Sequence, residues 1–134
     1  MEDRSEGDIT VLAVDDSASI RKLVELTLRR EGYTVITADS GLKALAALAR
    51  QRPDLLLLDV MLVALDGFQL CKVIREHPDY GDLPIVILSG RETPADREAG
   101  VRAGVSAYLT KPFRPEQLLA AVREQLAEQP KVVA

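Results

Sequence analysis

Residues 9–16 read ITVLAVDD, an apolar run that ends in two carboxylates. A short continuous apolar run rich in β-branched residues is typical of a strand buried on both faces, as the strands of a parallel sheet are. Three later apolar runs also end at a polar residue: LLLL (55–58) at Asp59, IVIL (85–88) at Ser89, and AYLT (107–110) at Lys111. A further strand is predicted at residues 33–37.

The segments between these strands carry apolar residues at helical spacing. The predicted inward stripes are Ile20, Leu23, Val24 and Leu28; Leu42, Leu45, Ala46, Leu48 and Ala49; Phe68, Cys71, Val73 and Ile74; and Leu118, Leu119, Val122 and Leu126. Thr93 and Pro94 predict the start of another helix, which stops at Gly104. Five β-α units in strict alternation predict an α/β fold, with a parallel sheet covered by helices on both faces.

The length of 134 residues predicts one domain, over residues 9–128, with a polar lead-in at 1–8 and a loose tail at 129–134. A net charge of -4 argues against direct nucleic-acid binding, which needs a basic surface. No run approaches the roughly 18 apolar residues of a membrane span, and the acidic N-terminus is unlike a secretory signal. The expectation is a cytoplasmic protein that does not bind membranes. A single cysteine, Cys71, excludes an internal disulfide.

The carboxyl ends of parallel strands open onto one crevice, so the polar residues that follow the strands should converge there. Three of them, Asp15, Asp16 and Asp59, are carboxylates whose mutual repulsion a bound cation would relieve. Hard oxygen ligands favour Mg²⁺, and nothing in the set offers the soft ligands of zinc. The backbone carbonyl of Met61 is a plausible additional ligand.

The same set suits phosphoryl transfer to a carboxylate. Asp59 can attack phosphorus and form an acyl phosphate, which requires alignment and neutralisation of the phosphoryl oxygens. Mg²⁺, the Lys111 ammonium and the Ser89 hydroxyl would each take one oxygen. Individually, an Asp pair can be a helix cap, Ser-Gly a turn and Lys a solvated residue. Their joint placement after strands of one sheet favours the functional interpretation.

At these residues the chain resembles the receiver domain of two-component response regulators, including the stand-alone chemotaxis type. The stretches that carry the resemblance are VLAVDDSASIRKLV, PDLLLLDVM, LDGFQLCKVIR, PIVILSG and AGVSAYLTKPF. The resemblance implies a flavodoxin-like (βα)5 fold with strand order 2-1-3-4-5. It also implies Asp59 as the phosphoacceptor, with Asp15, Asp16, Asp59 and the Met61 carbonyl holding Mg²⁺.

Further roles follow from the resemblance alone. Ser89 would be the switch hydroxyl, Lys111 the phosphate-binding lysine and Tyr108 the switch aromatic, and the Lys111–Pro112 peptide would be cis. The phosphoryl donor would be a histidine kinase or phosphotransfer protein, and the downstream protein partner would bind the face formed by the fourth helix, fifth strand and fifth helix. On this interpretation the chain is not an enzyme beyond slow self-dephosphorylation.

One loop departs from the family pattern, since Leu62-Val63-Ala64 replaces the usual Met-Pro-Gly and changes the stiffness and turn preference there. This departure keeps open a degenerate receiver that only binds partners. A Mg²⁺-dependent phosphohydrolase is a second alternative, although such enzymes place another acid where this chain has Met61. A flavin or nucleotide module would need a Gly-rich or Ser/Thr-rich first loop in place of Asp15 and Asp16.

Overall fold

The computed structural model describes residues 9–62, 66–90 and 93–127. Within them, five parallel strands alternate with five α-helices. The strands are β1 (Thr10–Val14), β2 (Thr34–Ala38), β3 (Leu55–Asp59), β4 (Ile85–Ser89) and β5 (Ala107–Thr110). The helices are α1 (Ala18–Arg30), α2 (Gly41–Arg50), α3 (Gly67–Glu76), α4 (Pro94–Ala103) and α5 (Pro115–Ala127). The sheet order is β2-β1-β3-β4-β5, which confirms the predicted fold and topology.

The three central strands β1, β3 and β4 are buried along their whole length because they are mostly apolar, whereas the edge strands β2 and β5 are partly exposed. Successive side chains of a strand point to opposite faces, so the Leu55–Leu58 run supplies two residues to each side. Leu56 and Leu58 pack with α2, α3 and α4, whereas Leu55 and Leu57 pack with α1 and α5. Burying each leucine contributes about 1.5–3 kcal/mol, so β3 anchors the middle of the fold and fixes the position of Asp59 at its end.

Side-chain caps set the helix starts near the carboxyl edge of the sheet. Ser17, Ser40 and Asp66 accept hydrogen bonds from the first-turn amides of α1, α2 and α3. Thr93 and Asp96 form a reciprocal capping box at the start of α4. Asp66 is the N-cap of α3, and Gly67 is its first residue.

Four residues of the predicted inward stripes are exposed, so that part of the prediction was wrong: Leu42, Ala46, Ala49 and Val73. Leu42 is 79% exposed and Val73 is 53% exposed. Helix α2 faces the sheet with Ala44 and Leu48, four residues apart, and Leu42 lies outside that stripe. Helix α3 buries Leu70, Cys71 and Ile74 in the same way. Among the described residues, no helix is both long and apolar enough to cross a membrane.

Candidate functional site

Three carboxylates meet at the carboxyl edge of the sheet, as the sequence predicted. Asp15 and Asp16 follow β1, and Asp59 ends β3, which pairs directly with β1. Each contributes one carboxylate oxygen to a group in which all oxygens lie within 4.8 Å of one another. Asp15 and Asp59 are only 1% and 3% exposed, whereas Asp16 is exposed. The cluster is therefore open to solvent on the side of Asp16.

Lys111 places its ammonium between two of these carboxylates. The Nζ atom lies 2.7 Å from Asp15 Oδ2 and 3.6 Å from Asp59 Oδ1. The Lys111 backbone amide donates a 2.7 Å hydrogen bond to the Ser89 carbonyl, which extends the contact between β4 and β5 past the strand ends. The Lys111–Pro112 peptide is cis, as the family resemblance implied.

Backbone amides orient the two buried carboxylates. The Ser17 amide donates to Asp15 Oδ1 at 2.9 Å, and the Met61 amide donates to Asp59 Oδ1 at 3.0 Å. Met61 itself is 55% exposed beside the cluster. The residue following it, Leu62, is buried in the core, and residues 63–64 of the unusual loop lie outside the described residues. Each buried carboxylate is thus held in place through its Oδ1 atom.

The environment of Asp59 raises the pKa of its carboxyl group above the ordinary value. Burial is the main cause, and the negative charges of Asp15 and Asp16 act in the same direction. The hydrogen bond from the Met61 amide and the positive charge of Lys111 oppose the shift without cancelling it. Three carboxylates against one ammonium leave an excess of negative charge that a cation would neutralise.

Asp59→Asn is expected to stabilise the protein in the absence of Mg²⁺ at pH 7. Because the folded-state pKa of Asp59 is raised, wild type loses stability as pH rises from the unfolded-state value of about 3.9 through the folded-state value. The asparagine side chain keeps an oxygen that can accept the hydrogen bond from the Met61 amide, and it carries no charge. The free energy of unfolding should therefore increase by on the order of 1 kcal/mol at pH 7, and the increase should vanish below about pH 3.9. Urea unfolding of wild type and Asp59→Asn from about pH 3.5 to 8 measures this effect. A difference in unfolding free energy that does not change with pH would contradict this account.

Two contacts that sequence reasoning missed support the cluster from behind. Arg21 of α1 donates from Nη1 to the Asp15 carbonyl at 2.7 Å. Gly67 brings the start of α3 against the end of β3, since a Cβ at residue 67 would lie 2.6 Å from the Asp59 carbonyl oxygen. The pair Asp66-Gly67 gives only a turn signal in the sequence, and Arg21 gives no signal, because both contacts depend on how the helices approach the sheet.

The predicted switch residues lie on β4, which neighbours β3, and on β5 at the edge of the sheet. Ser89 ends β4 and is 2% exposed. Tyr108, on β5, is half-buried, and its hydroxyl donates to the Asp96 carbonyl of α4 at 2.7 Å. Its ring meets the Phe68 ring edge-on at a centroid distance of 6.4 Å, and the Arg97 guanidinium lies 5.8 Å from its centroid. Tyr108 therefore bridges β5, α3 and α4.

A doubly wound parallel sheet with a carboxylate cluster and a lysine at its carboxyl edge defines a class of α/β proteins that handle cations and phosphoryl groups. The sequence model of the response regulator receiver domain family matches residues 11–123 of this chain. The chain belongs to that family.

Individual relatives support the assignment. Over 87% of its length the chain is 45% identical to response regulator MprA of Mycobacterium leprae, and over 92% it is 38% identical to protein PilG of Pseudomonas aeruginosa. The chain spans 50% of the length of MprA and 90% of the length of PilG.

Solved structures agree with the fold and the family. A putative response regulator from Chloroflexus aurantiacus superposes with a TM-score of 0.85 at 41% identity, covering 90% of this chain and 98% of that one. Chemotaxis protein CheY4 of Vibrio cholerae gives a TM-score of 0.84 at 39% identity, covering 87% and 97%.

Proposed function

We propose that the chain is the phosphoacceptor switch of a two-component phosphorelay, with Asp59 as the residue that receives the phosphoryl group. The observation that carries the proposal is the position of the Asp59 carboxylate. It is buried at a strand end, held by the Met61 amide and placed 3.6 Å from the Lys111 ammonium. Family membership supports the same assignment.

The donor set fits Mg²⁺, which we propose as the cofactor. Its protein ligands would be carboxylate oxygens of Asp15, Asp16 and Asp59 and the backbone carbonyl of Met61, all of them hard oxygen donors. The three carboxylates outnumber the single Lys111 ammonium that contacts them, and this excess of negative charge supports a resident cation. When bound, Mg²⁺ neutralises charge on the attacking carboxylate and on the phosphoryl oxygens.

The residues of the site have separate roles in the proposed transfer. A carboxylate oxygen of Asp59 forms a bond to phosphorus while the bond from phosphorus to the donor histidine nitrogen breaks, and the electron pair stays on the imidazole. The Lys111 ammonium forms an ion pair with one phosphoryl oxygen, and the Ser89 hydroxyl donates a hydrogen bond to another. Met61 occupies the position where a phosphohydrolase carries its second acid, so the product should persist as an aspartyl phosphate and not turn over rapidly.

The partners in this proposal are proteins. A histidine kinase or phosphotransfer protein supplies the phosphoryl group, and the reaction takes place in the cytoplasm, where ATP charges the kinase. A downstream protein then binds the face formed by α4, β5 and α5, whose geometry depends on Ser89 and Tyr108. The position of Tyr108 between β5 and α4 supports this choice of face.

Incubation with acetyl phosphate and Mg²⁺ tests the proposal without knowledge of the kinase. Intact mass should show one added phosphoryl group on wild type and none on Asp59→Asn. Asp82→Asn is the matched control, because Asp82 is exposed in the loop before β4, at the opposite edge of the sheet, and this variant should react like wild type. Equal labelling of the Asp59 variant and wild type would refute Asp59 as the acceptor.

A further inference from the structure

Gly100 lies inside α4, where its lack of a side chain has no backbone explanation. Glycine is the least favourable helix residue after proline, and Gly100 occupies the regular part of the helix, three residues before its end. Of the described glycines, the positive-φ ones are Gly32 and Gly104. The reason for a glycine at residue 100 must therefore lie in what packs against it.

The ring of Tyr108 fills the space that a side chain at residue 100 would need. A Cβ on Gly100 would overlap the Tyr108 hydroxyl oxygen and lie 2.7 Å from Cζ and 2.9 Å from Cε2. These atoms form the far end of a side chain that can rotate about its own torsions. A methyl group at residue 100 would therefore displace the tyrosine ring before it displaced the helix.

The same glycine exposes the acceptor of the tyrosine hydroxyl. In an α-helix the Asp96 carbonyl accepts the amide of residue 100, and the Cβ of residue 100 points back over that turn. With glycine there, the carbonyl remains accessible and accepts the Tyr108 hydroxyl at 2.7 Å. A single missing side chain thus provides both the space for the ring and access to its hydrogen-bond partner.

We infer that Gly100 is a positioning residue that holds Tyr108 docked on α4 and so sets how the face of α4, β5 and α5 responds to phosphorylation. Tyr108 pairs with Ile87 of β4, two residues before the buried Ser89, so the docked ring joins to α4 the same pair of strands that carries Ser89 at its carboxyl end. The docking stands on geometry alone, whereas the response to phosphorylation rests on the proposed function.

The test uses protein carrying ¹³C-labelled tyrosine rings, with Tyr33, Tyr80 and Tyr108 assigned by single Tyr→Phe variants. Gly100→Ala should move the Tyr108 resonances to those of a solvent-exposed tyrosine and leave the other two in place. It should also abolish the change at Tyr108 on addition of acetyl phosphate and Mg²⁺, without reducing the phosphoryl adduct. Gly81→Ala is the matched control, since residue 81 has helical dihedral angles. A Cβ at residue 81 would lie 4.0 Å from the Arg75 carbonyl oxygen, an ordinary contact distance.

An unmoved Tyr108 resonance in Gly100→Ala would overturn the inference, and so would loss of the adduct in that variant. If Gly100→Ala fails to fold, the double variant with Tyr108→Ala decides. Recovery of the fold supports a clash with the tyrosine ring, and continued unfolding refutes it. If wild type takes no phosphoryl group, the proposed function fails, while the spectra of the unphosphorylated proteins still decide the docking.

Discussion

Asp16→Asn is expected to weaken Mg²⁺ binding at least about tenfold, or about 1.4 kcal/mol, and to remove most of the phosphoryl adduct. Loss of an outer-shell partner already weakens metal binding by about 10–100-fold, so loss of a directly ligating carboxylate should cost no less. Asp16 is the cleanest position for this change because its side chain is exposed, whereas Asp15 is buried and bonded to Lys111 and Ser17. The fold should be unaffected.

Isothermal titration with Mg²⁺ measures the affinity, and intact mass after acetyl phosphate treatment measures the adduct. Addition of EDTA to wild type should abolish the adduct in the same way. Asp82→Asn should match wild type in both assays. If Asp16→Asn bound Mg²⁺ with wild-type affinity, Asp16 would not be a metal ligand. If the adduct formed in the presence of EDTA, the reaction would not require the metal.

Lys111→Met is expected to destabilise the metal-free protein by about 2–3 kcal/mol. Removing one partner of a buried ion pair costs about 3–5 kcal/mol, because the remaining charge is left without compensation, and the 21% exposure of Lys111 places the expected cost at or below that range. Lys111 is bonded to the buried Asp15 carboxylate and lies beside that of Asp59. Without its ammonium, the three carboxylates face one another without the cation that contacts two of them.

Addition of Mg²⁺ distinguishes the contribution of Lys111 to stability from its contribution to phosphoryl transfer. Added Mg²⁺ should restore most of the stability of Lys111→Met, because the cation neutralises the carboxylates, yet the phosphoryl adduct should remain largely absent. Urea unfolding with and without Mg²⁺ provides the first measurement and intact mass the second. Lys43→Met is the matched control, since it removes an exposed ion pair with Asp39 and should cost less than about 1 kcal/mol. Equal metal-free stability of Lys111→Met and wild type would refute the electrostatic account.

The convergence of Asp15, Asp59 and Lys111 could be predicted because it depends only on topology. A parallel sheet brings the carboxyl ends of its strands to one edge whatever path the loops take, and the apolar runs mark those ends plainly. The helix faces were harder to predict. Leu42 and Val73 fit an apolar stripe by spacing, yet each helix buries a narrower stripe than its apolar residues allow.

The contacts of Arg21, Gly67 and Gly100 could not be read from the sequence. Each depends on the distance between a helix and a neighbouring element, which is set by the packing of both and leaves no local pattern. A glycine that starts a helix at Asp66-Gly67 looks like any turn glycine, and a glycine inside α4 looks like an unfavourable helix residue. Only the positions of the Asp59 carbonyl and the Tyr108 ring explain them.

The most direct test of the central claim is to locate the phosphoryl group chemically. Wild-type protein treated with acetyl phosphate and Mg²⁺ is reduced with borohydride, which converts an acyl phosphate to an alcohol and leaves free carboxylates intact, and its peptides are then sequenced by mass spectrometry. The account predicts homoserine in place of aspartate at position 59, at no other aspartate, and not in a sample prepared with EDTA. Reduction at Asp15 or Asp16, or at none of the three despite an intact-mass adduct, would contradict it.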